Sequence, residues 1–314
     1  MPCSVAPIPF AGELSYSARE PGSRSSHVAN AADVLIVDAT DPDPNHPHLI
    51  THHKGQHVPE EIMADTSTGS VLNALQFDGG RGHPVLHGCR ACTSNHFDID
   101  SFTAVWAAAH PTEAMIHEAV LRRVAHIGDF RELGSLEDPI ERDALALCCW
   151  LNTRERELFY RPFEELQRFS SEAEPEPESE PDSLSGGQRS KADGTLAKFT
   201  YFLSSFSAVL GCPATFRGEW ETEYELVLDG VTQLRDPGRT NVREVPQLGL
   251  VMVKTTEPTH YYALFSQTAG YDTVFTEYSG GRFEVESKYT TFIDLRSRPV
   301  SPRIDMVALL PLLN

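Results

Sequence analysis

Apolar positions along this chain are grouped in two ways. In the first half, short unbroken apolar runs alternate with stretches whose apolar residues recur every three or four positions. Residues 33–40 (DVLIVDAT) form a run of strand length that ends around Asp38, the pattern of a strand buried on both faces. Pro42, Pro44 and Pro47 make the next segment a loop, and residues 48–53 (HLITHH) return as a short strand. Residues 63–77 open a helix. Asp65 or Thr66 can cap it, and Val71, Leu72 and Leu75 give its apolar stripe. A second buried strand within 84–100 runs into NHFDID, and 101–109 (SFTAVWAAA) is helical. Residues 110–130 make a further helix, with Pro111 in its first turn and Gly128 near its end. Residues 138–169 are mostly helical, with a break at Pro162.

The pattern then changes. Residues 196–210 give an amphipathic helix. From Tyr224 onward, 224–230, 248–255, 260–268 and 271–295 read as strands, with Ser279-Gly280-Gly281 as a turn. Residues 303–314 read as a short helix. The fold class expected is α/β, a parallel-sheet layer followed by an α+β part with antiparallel strands. The organisation expected is a poorly ordered lead-in over 1–32, an α/β domain over 33–169 and a C-terminal α+β domain over 195–314. Between the domains lies an acidic segment, 170–194, rich in Pro, Ser and Gly and expected to be disordered.

Composition narrows the partners. With 40% hydrophobic and 9% aromatic residues in 314, the chain has enough apolar material for a sizeable core. Its net charge is −19. Six of those negative charges fall within 171–182, and the rest of the chain is still acidic. Nucleic acid and anionic membranes are therefore not the expected partners. No apolar run approaches the roughly 20 residues of a membrane span, and the N-terminal residues show no signal-peptide pattern. Six cysteines are too sparse for a disulfide scaffold. Cys89 and Cys92 read as small buried hydrophobes. A reduced, cytoplasmic setting is expected.

Four groups of residues could carry chemistry. His96, Asp98 and Asp100 sit at i, i+2 and i+4, which in an extended segment project to one side. An imidazole and two carboxylates suit Mn²⁺, Mg²⁺, Zn²⁺ or Fe²⁺, and ligands of open α/β sheets bind beyond the carboxyl ends of strands. The alternative is that Asp100 or Ser101 simply caps the next helix. Asp38 with His52, His53 and His57 forms the second group. Strand alternation would send His52 and His53 to opposite faces, so at most one is expected to join the site. The third is the helix start at Thr66, Ser67 and Thr68, where free N–H groups could take a substrate anion, unless it is no more than a capped helix. The fourth is Arg296, Arg298 and Arg303, whose guanidinium forks suit phosphate or pairing with the chain's own carboxylates.

These same stretches carry two resemblances. Residues 33–39, 51–75, 95–114, 126–130 and 283–303 resemble an uncharacterised family of unknown function, known by an N-H-F-D-x-D-G motif, a D-T-S-T motif and a final Y-T-T…S-R-P…P-R. This chain has His53, Lys54 and Ser101 where that pattern has Trp, Pro and Gly. More remotely, NHFDIDSFTAVWA and THHKG…DTSTGSVLNAL are similar to the H-x-D-x-D-G and D-H-H motifs of DHH-type phosphoesterases, in reversed order and with Thr51 in place of the Asp. That likeness implies a DHH-like N-terminal layer, bound Mn²⁺ or Mg²⁺, and Asp38, His96, Asp98, Asp100 and His52 or His53 as ligands.

The function expected is a divalent-metal-dependent hydrolase acting on a small phosphorylated or diphosphate substrate. In it Asp38, His96, Asp98 and Asp100 hold the ion, with Asp98 also catalytic through it. His52 or His53 is the general acid, and Thr66, Ser67, Thr68 and the three arginines hold the anion. The alternatives are a Mg²⁺-dependent lyase or cyclase on an organic diphosphate, with Phe97, Phe102, Trp106 and the aromatics at 199–206 lining its pocket, and a non-enzymatic binding module.

Overall fold

The structure is a computed structural model that describes residues 15–16, 33–160, 184–268 and 270–300. Its first sheet is wholly parallel. Strands β1 (Ser15–Tyr16), β2 (Val34–Val37), β3 (Leu49–Ile50) and β4 (Ala91–Thr93) lie in the order β1-β4-β2-β3. The expected α/β class is therefore borne out. All four residues of β2 are buried, as their unbroken apolar run requires of a central strand covered on both faces. Helix α1 (Ser67–Gly80) follows β3, and α2 (Ile99–Ala109) follows β4. From Asp100 to Ala109 every residue of α2 is buried. Its Ala-rich sequence lets neighbouring backbones come close on all sides. Beyond it come α3 (Pro111–Ile116), α4 (Glu118–Phe130) and α5 (Pro139–Glu155). The single helix expected over 110–130 is two, because His117 (φ −104°, ψ 17°) leaves helical geometry between them.

Helix α6 (Leu184–Gly211) begins inside the segment 170–194 expected to be a disordered linker; residues 161–183, which hold the start of that segment and the end of the expected 138–169 helix with its break at Pro162, lie outside the described part. Two expected strands are helices. Residues 224–230 belong to α7 (Glu221–Arg235), and 261–266 form α8 (Tyr261–Ser266). The buried residues Val227, Val231 and Leu234 of α7 recur every three or four positions, the helical period that a seven-residue window is too short to reveal. The second sheet, β5 (Asn241–Val245), β6 (Leu250–Thr255), β7 (Thr273–Tyr278) and β8 (Arg282–Ser287), has the order β5-β6-β7-β8. Its outer pairs are antiparallel, and its central pair is parallel. Helix α8 lies on the β6–β7 connection that a parallel pair needs. The expected Ser279-Gly280-Gly281 turn joins β7 to β8, with Gly280 (φ 90°) and Gly281 (φ 80°) in the left-handed region.

One hydrophobic cluster runs from Leu35 and Ile50 through Trp106, Trp150 and Phe202 to Val251 and Val274, so both sheets share a core. Polar contacts reinforce it where α5 meets α7. The buried Glu223 carboxylate accepts from Asn152 Nδ2 (3.1 Å), Thr153 Oγ1 (3.0 Å) and Arg156 Nη2 (2.9 Å), and His260 Nε2 lies 3.3 Å away. Burial alone would raise this carboxyl. His260, with Arg156 and Asn152, outweighs burial and holds it below its ordinary range. A depressed carboxyl contributes stability that is present above its unfolded value and lost as pH falls. Glu223→Gln should therefore cost about 3 kcal/mol at neutral pH and flatten the acid side of the stability curve. Urea denaturation of both proteins at pH 7 and pH 4 measures this.

Candidate metal centre

The three parallel strands β4, β2 and β3 all deliver a polar residue just past their carboxyl ends: Asp38 after the central β2, His52 after β3 and His96 after β4. Strand order thus puts Asp38 between the two imidazoles. Its Oδ1 lies 3.2 Å from His52 Nε2 and 3.8 Å from His53 Nδ1, and its Oδ2 lies 3.4 Å from His96 Nε2. Asp38 takes a left-handed backbone (φ 47°) as the chain turns out of the sheet, a conformation that Asp and Asn tolerate better than other residues with a Cβ. The Ser67 hydroxyl at the start of α1 donates to Asp38 Oδ1 at 2.6 Å.

Both outer imidazoles are oriented from behind. His52 Nδ1 is 2.6 Å from the Asp65 carbonyl, which can only accept, so His52 Nδ1 carries the proton and Nε2 faces the carboxylates. His96 Nδ1 donates to Asn95 Oδ1 (2.8 Å), and its Nε2 lies 3.0 Å from Asp98 Oδ2. Such outer hydrogen bonds are how ligating histidines are held. Asp98 also caps α2, with Ser101 N donating to its Oδ1 at 2.8 Å in a reciprocal capping box. One oxygen thus serves the helix and the other faces His96.

A fourth carboxylate, Asp129, was not among the sequence candidates. It sits in the last turn of α4, with Oδ2 3.5 Å from His52 Nε2. A carboxylate in the last turn opposes the helix dipole, and that mismatch was the available signal. Gly128 makes the approach possible: a Cβ there would lie 2.6 Å from Ile99 Cβ at the start of α2. Gly128→Ala should destabilise the protein by about 1–3 kcal/mol and weaken metal binding by displacing Asp129. Thermal melts with and without Mn²⁺ would show both effects.

The candidate ligand atoms form three overlapping triads, each within 4.8 Å: Asp38–His52–His53, Asp38–His96–Asp98 and His52–Asp100–Asp129. Among the described residues, the ion-pair partners of these four carboxylates are all imidazoles. Burial disfavours charge on Asp38, yet hydrogen bonds from His52 and His96 hold its carboxyl well below the ordinary range. Burial likewise opposes charge on His96, but Asp38 and Asp98 push the ring up to about 11. Asp100 is pushed up to about 6 by burial and then by the Asp38 charge. Asp129 is raised well above its ordinary value by burial and by Asp100. Crowded carboxylates facing imidazole nitrogens in a buried site require either protons or a cation between them. Hard oxygens with imidazole nitrogens are a donor set that Mn²⁺, Fe²⁺ or Zn²⁺ accepts readily, and Mg²⁺ through the oxygens.

Other sequence expectations are redirected. His52 and His53 both face Asp38, because the chain after Ile50 is no longer a regular strand and alternation does not apply. His57 pairs instead with Asn45 (2.6 Å) at the surface. The 95–100 segment is not extended through its length: Asp98 is a cap and Asp100 already helical. The anion at the start of α1 is Asp100 itself, which accepts from Ser67 N (2.6 Å) and Thr68 N (2.9 Å). Thr66 caps that helix through Gly69 N, and Thr68 Oγ1 donates to the Asp100 carbonyl. These three residues therefore build the site and do not line the cleft. Arg296 pairs with Glu60 (3.1 Å) and Arg298 with Asp272 (2.7 Å), outside the cleft lining. Arg303 lies outside the described residues.

The cluster opens into a cleft of about 770 Å³ whose cations are Lys54 and Arg131. The sequence pattern of a family of unknown function, DUF6687, matches residues 24–314. The chain belongs to this family. No curated protein and no solved structure matches it. Membership of DUF6687 bears out the first resemblance. The likeness to DHH-type phosphoesterases rests on the short motifs quoted above. Among the described residues of this DUF6687 chain, no helix is long and apolar enough to cross a membrane.

Proposed function

We propose that this DUF6687 protein is a divalent-metal-dependent hydrolase acting on a small phosphorylated or diphosphate substrate. The observation that carries the reading is the central carboxylate, Asp38, whose two oxygens face imidazoles on either side at the mouth of an open cleft. Asp38, His52, His96, Asp98, Asp100 and Asp129 are the residues that would hold the ion or ions. A divalent cation there supplies charge neutralisation at phosphoryl oxygens and a more acidic water. Lys54 and Arg131 attract and orient the anion, which the acidic body of the protein repels at long range.

The general-acid role fits His53 better than His52. His52 is enclosed by three carboxylates with its side chain 4% exposed, whereas the side chain of His53 is 23% exposed to the cleft. Burial lowers the His53 pKa from its ordinary value. The lyase or cyclase alternative is less favoured. Phe102, Trp106, Phe199, Phe202 and Phe206 are fully buried in the core, and Phe97 alone of that group reaches the cleft. A panel of phosphate mono- and diesters and diphosphates, run with and without Mn²⁺, tests the reading. It predicts Mn²⁺-dependent phosphate release that His53→Ala lowers even at saturating Mn²⁺.

A further inference from the structure

The cleft has an aromatic wall as well as a charged one. Tyr289 and Phe292 line it with 66% and 52% of their surfaces exposed. Both belong to the single 3-10 turn Tyr289–Phe292. That turn is fastened to the ligand-bearing segment by its backbone: Lys54 N donates to the Phe292 carbonyl (3.0 Å), Asp294 N donates to the His52 carbonyl (2.8 Å), and His53 bridges Ile293. Thr290 and Ile293 are buried between the exposed rings and beyond them, which anchors the turn from below. The backbone that carries the two rings is therefore held beside the imidazoles. Arg131 shares the cleft, its guanidinium 4.8 Å from the centroid of Tyr261 and 3.8 Å from Glu286.

We propose that the substrate's organic group is a planar aromatic ring system, stacked against Tyr289 and Phe292 while its anion lies toward Lys54, Arg131 and the carboxylate–imidazole cluster. This deepens the hydrolase reading and rests on it for the anion. Two rings on one wall favour a flat partner over a puckered one of equal carbon number, because aromatic pairs gain attraction beyond the area they bury. A few precisely placed polar groups with an apolar wall is also the usual make-up of a small-molecule site.

Phenylphosphonate and cyclohexylphosphonate share an anion and a carbon count and differ in planarity. Calorimetric titration of each into the full chain, with and without Mn²⁺, separates the two readings. The absolute affinities and their dependence on Mn²⁺ report the metal, and the ratio reports the rings. The expected result is a roughly fivefold to tenfold preference for phenylphosphonate in both conditions. Tyr289→Leu and Phe292→Leu should abolish it by weakening phenylphosphonate more than cyclohexylphosphonate, with the melting temperature unchanged. Equal affinity for the two phosphonates, a preference that survives both substitutions, or no binding of either at millimolar concentration would overturn the proposal. Binding unaffected by Mn²⁺ with the preference intact would instead remove the metal reading and leave the aromatic wall standing.

Discussion

Mn²⁺ is expected to stabilise the wild-type protein, and Asp38→Asn to abolish that gain. An ion that binds the folded chain alone adds about 2.7 kcal/mol at a hundred times its Kd, which for a chain of this size is a melting-point rise of several degrees. Asparagine keeps the shape of Asp38, tolerates its left-handed backbone and can still accept from Ser67 Oγ. It removes only the charge shared between His52 and His96. Asp38 belongs to two of the three ligand triads. Its loss should therefore exceed the roughly 10- to 100-fold cost of removing an outer-shell partner. Differential scanning calorimetry across a Mn²⁺ series decides the matter. A variant that melts normally without metal and still gains the full shift with it would show that Asp38 holds no ion.

Asp129→Asn should move two quantities in opposite directions: higher stability without metal, lower affinity with it. Burial and the neighbouring Asp100 raise the Asp129 carboxyl well above its ordinary value. For an acid whose folded pKa is raised, the folded state binds the proton more tightly than the unfolded state. Stability therefore falls as pH rises from the unfolded value toward the folded one, and the full penalty is present above the latter. Removing the carboxylate removes that penalty, on the order of 1–3 kcal/mol. The metal-free variant should thus outlast the wild type at pH 7 and converge with it near pH 4. A purely structural Asp129, paired usefully with His52, would give the reverse: a variant less stable at pH 7. The trade of stability against binding is what a preformed cation site implies, because its charges repel one another until the cation arrives.

Most of the centre was legible because it is built from strand ends. The apolar runs at 33–37 and 91–93, the short strand at 49–50 and the polar residues that follow each were visible in the sequence. A parallel sheet necessarily gathers such ends on one side. Asp129 was not visible in this way. It reaches the site from the far end of a helix whose own pattern describes only its buried stripe, and the contact depends on a glycine-sized approach between Gly128 and Ile99. The helix start at Ser67 and Thr68 was correctly placed. Its anion is the chain's own Asp100, a pairing across more than thirty residues that no local window contains. Residues 260–268 failed for a different reason. A six-residue apolar run has no period to read, and its N-cap, His260, which accepts from Tyr262 N, is not a common capping residue. Mistaking it for a strand also hid the parallel pairing of β6 with β7, which only a crossover permits.

Direct metal analysis tests the central claim with the least intervening inference. Untagged protein should be stripped with chelator, dialysed against Mn²⁺ and assayed for bound metal by elemental analysis, beside Asp38→Asn and the surface control Arg296→Ala. We predict near-stoichiometric Mn²⁺ in the wild type and in Arg296→Ala, and a trace in Asp38→Asn. Wild-type protein that emerges without metal, or an Asp38→Asn variant that retains it in full, would contradict the account.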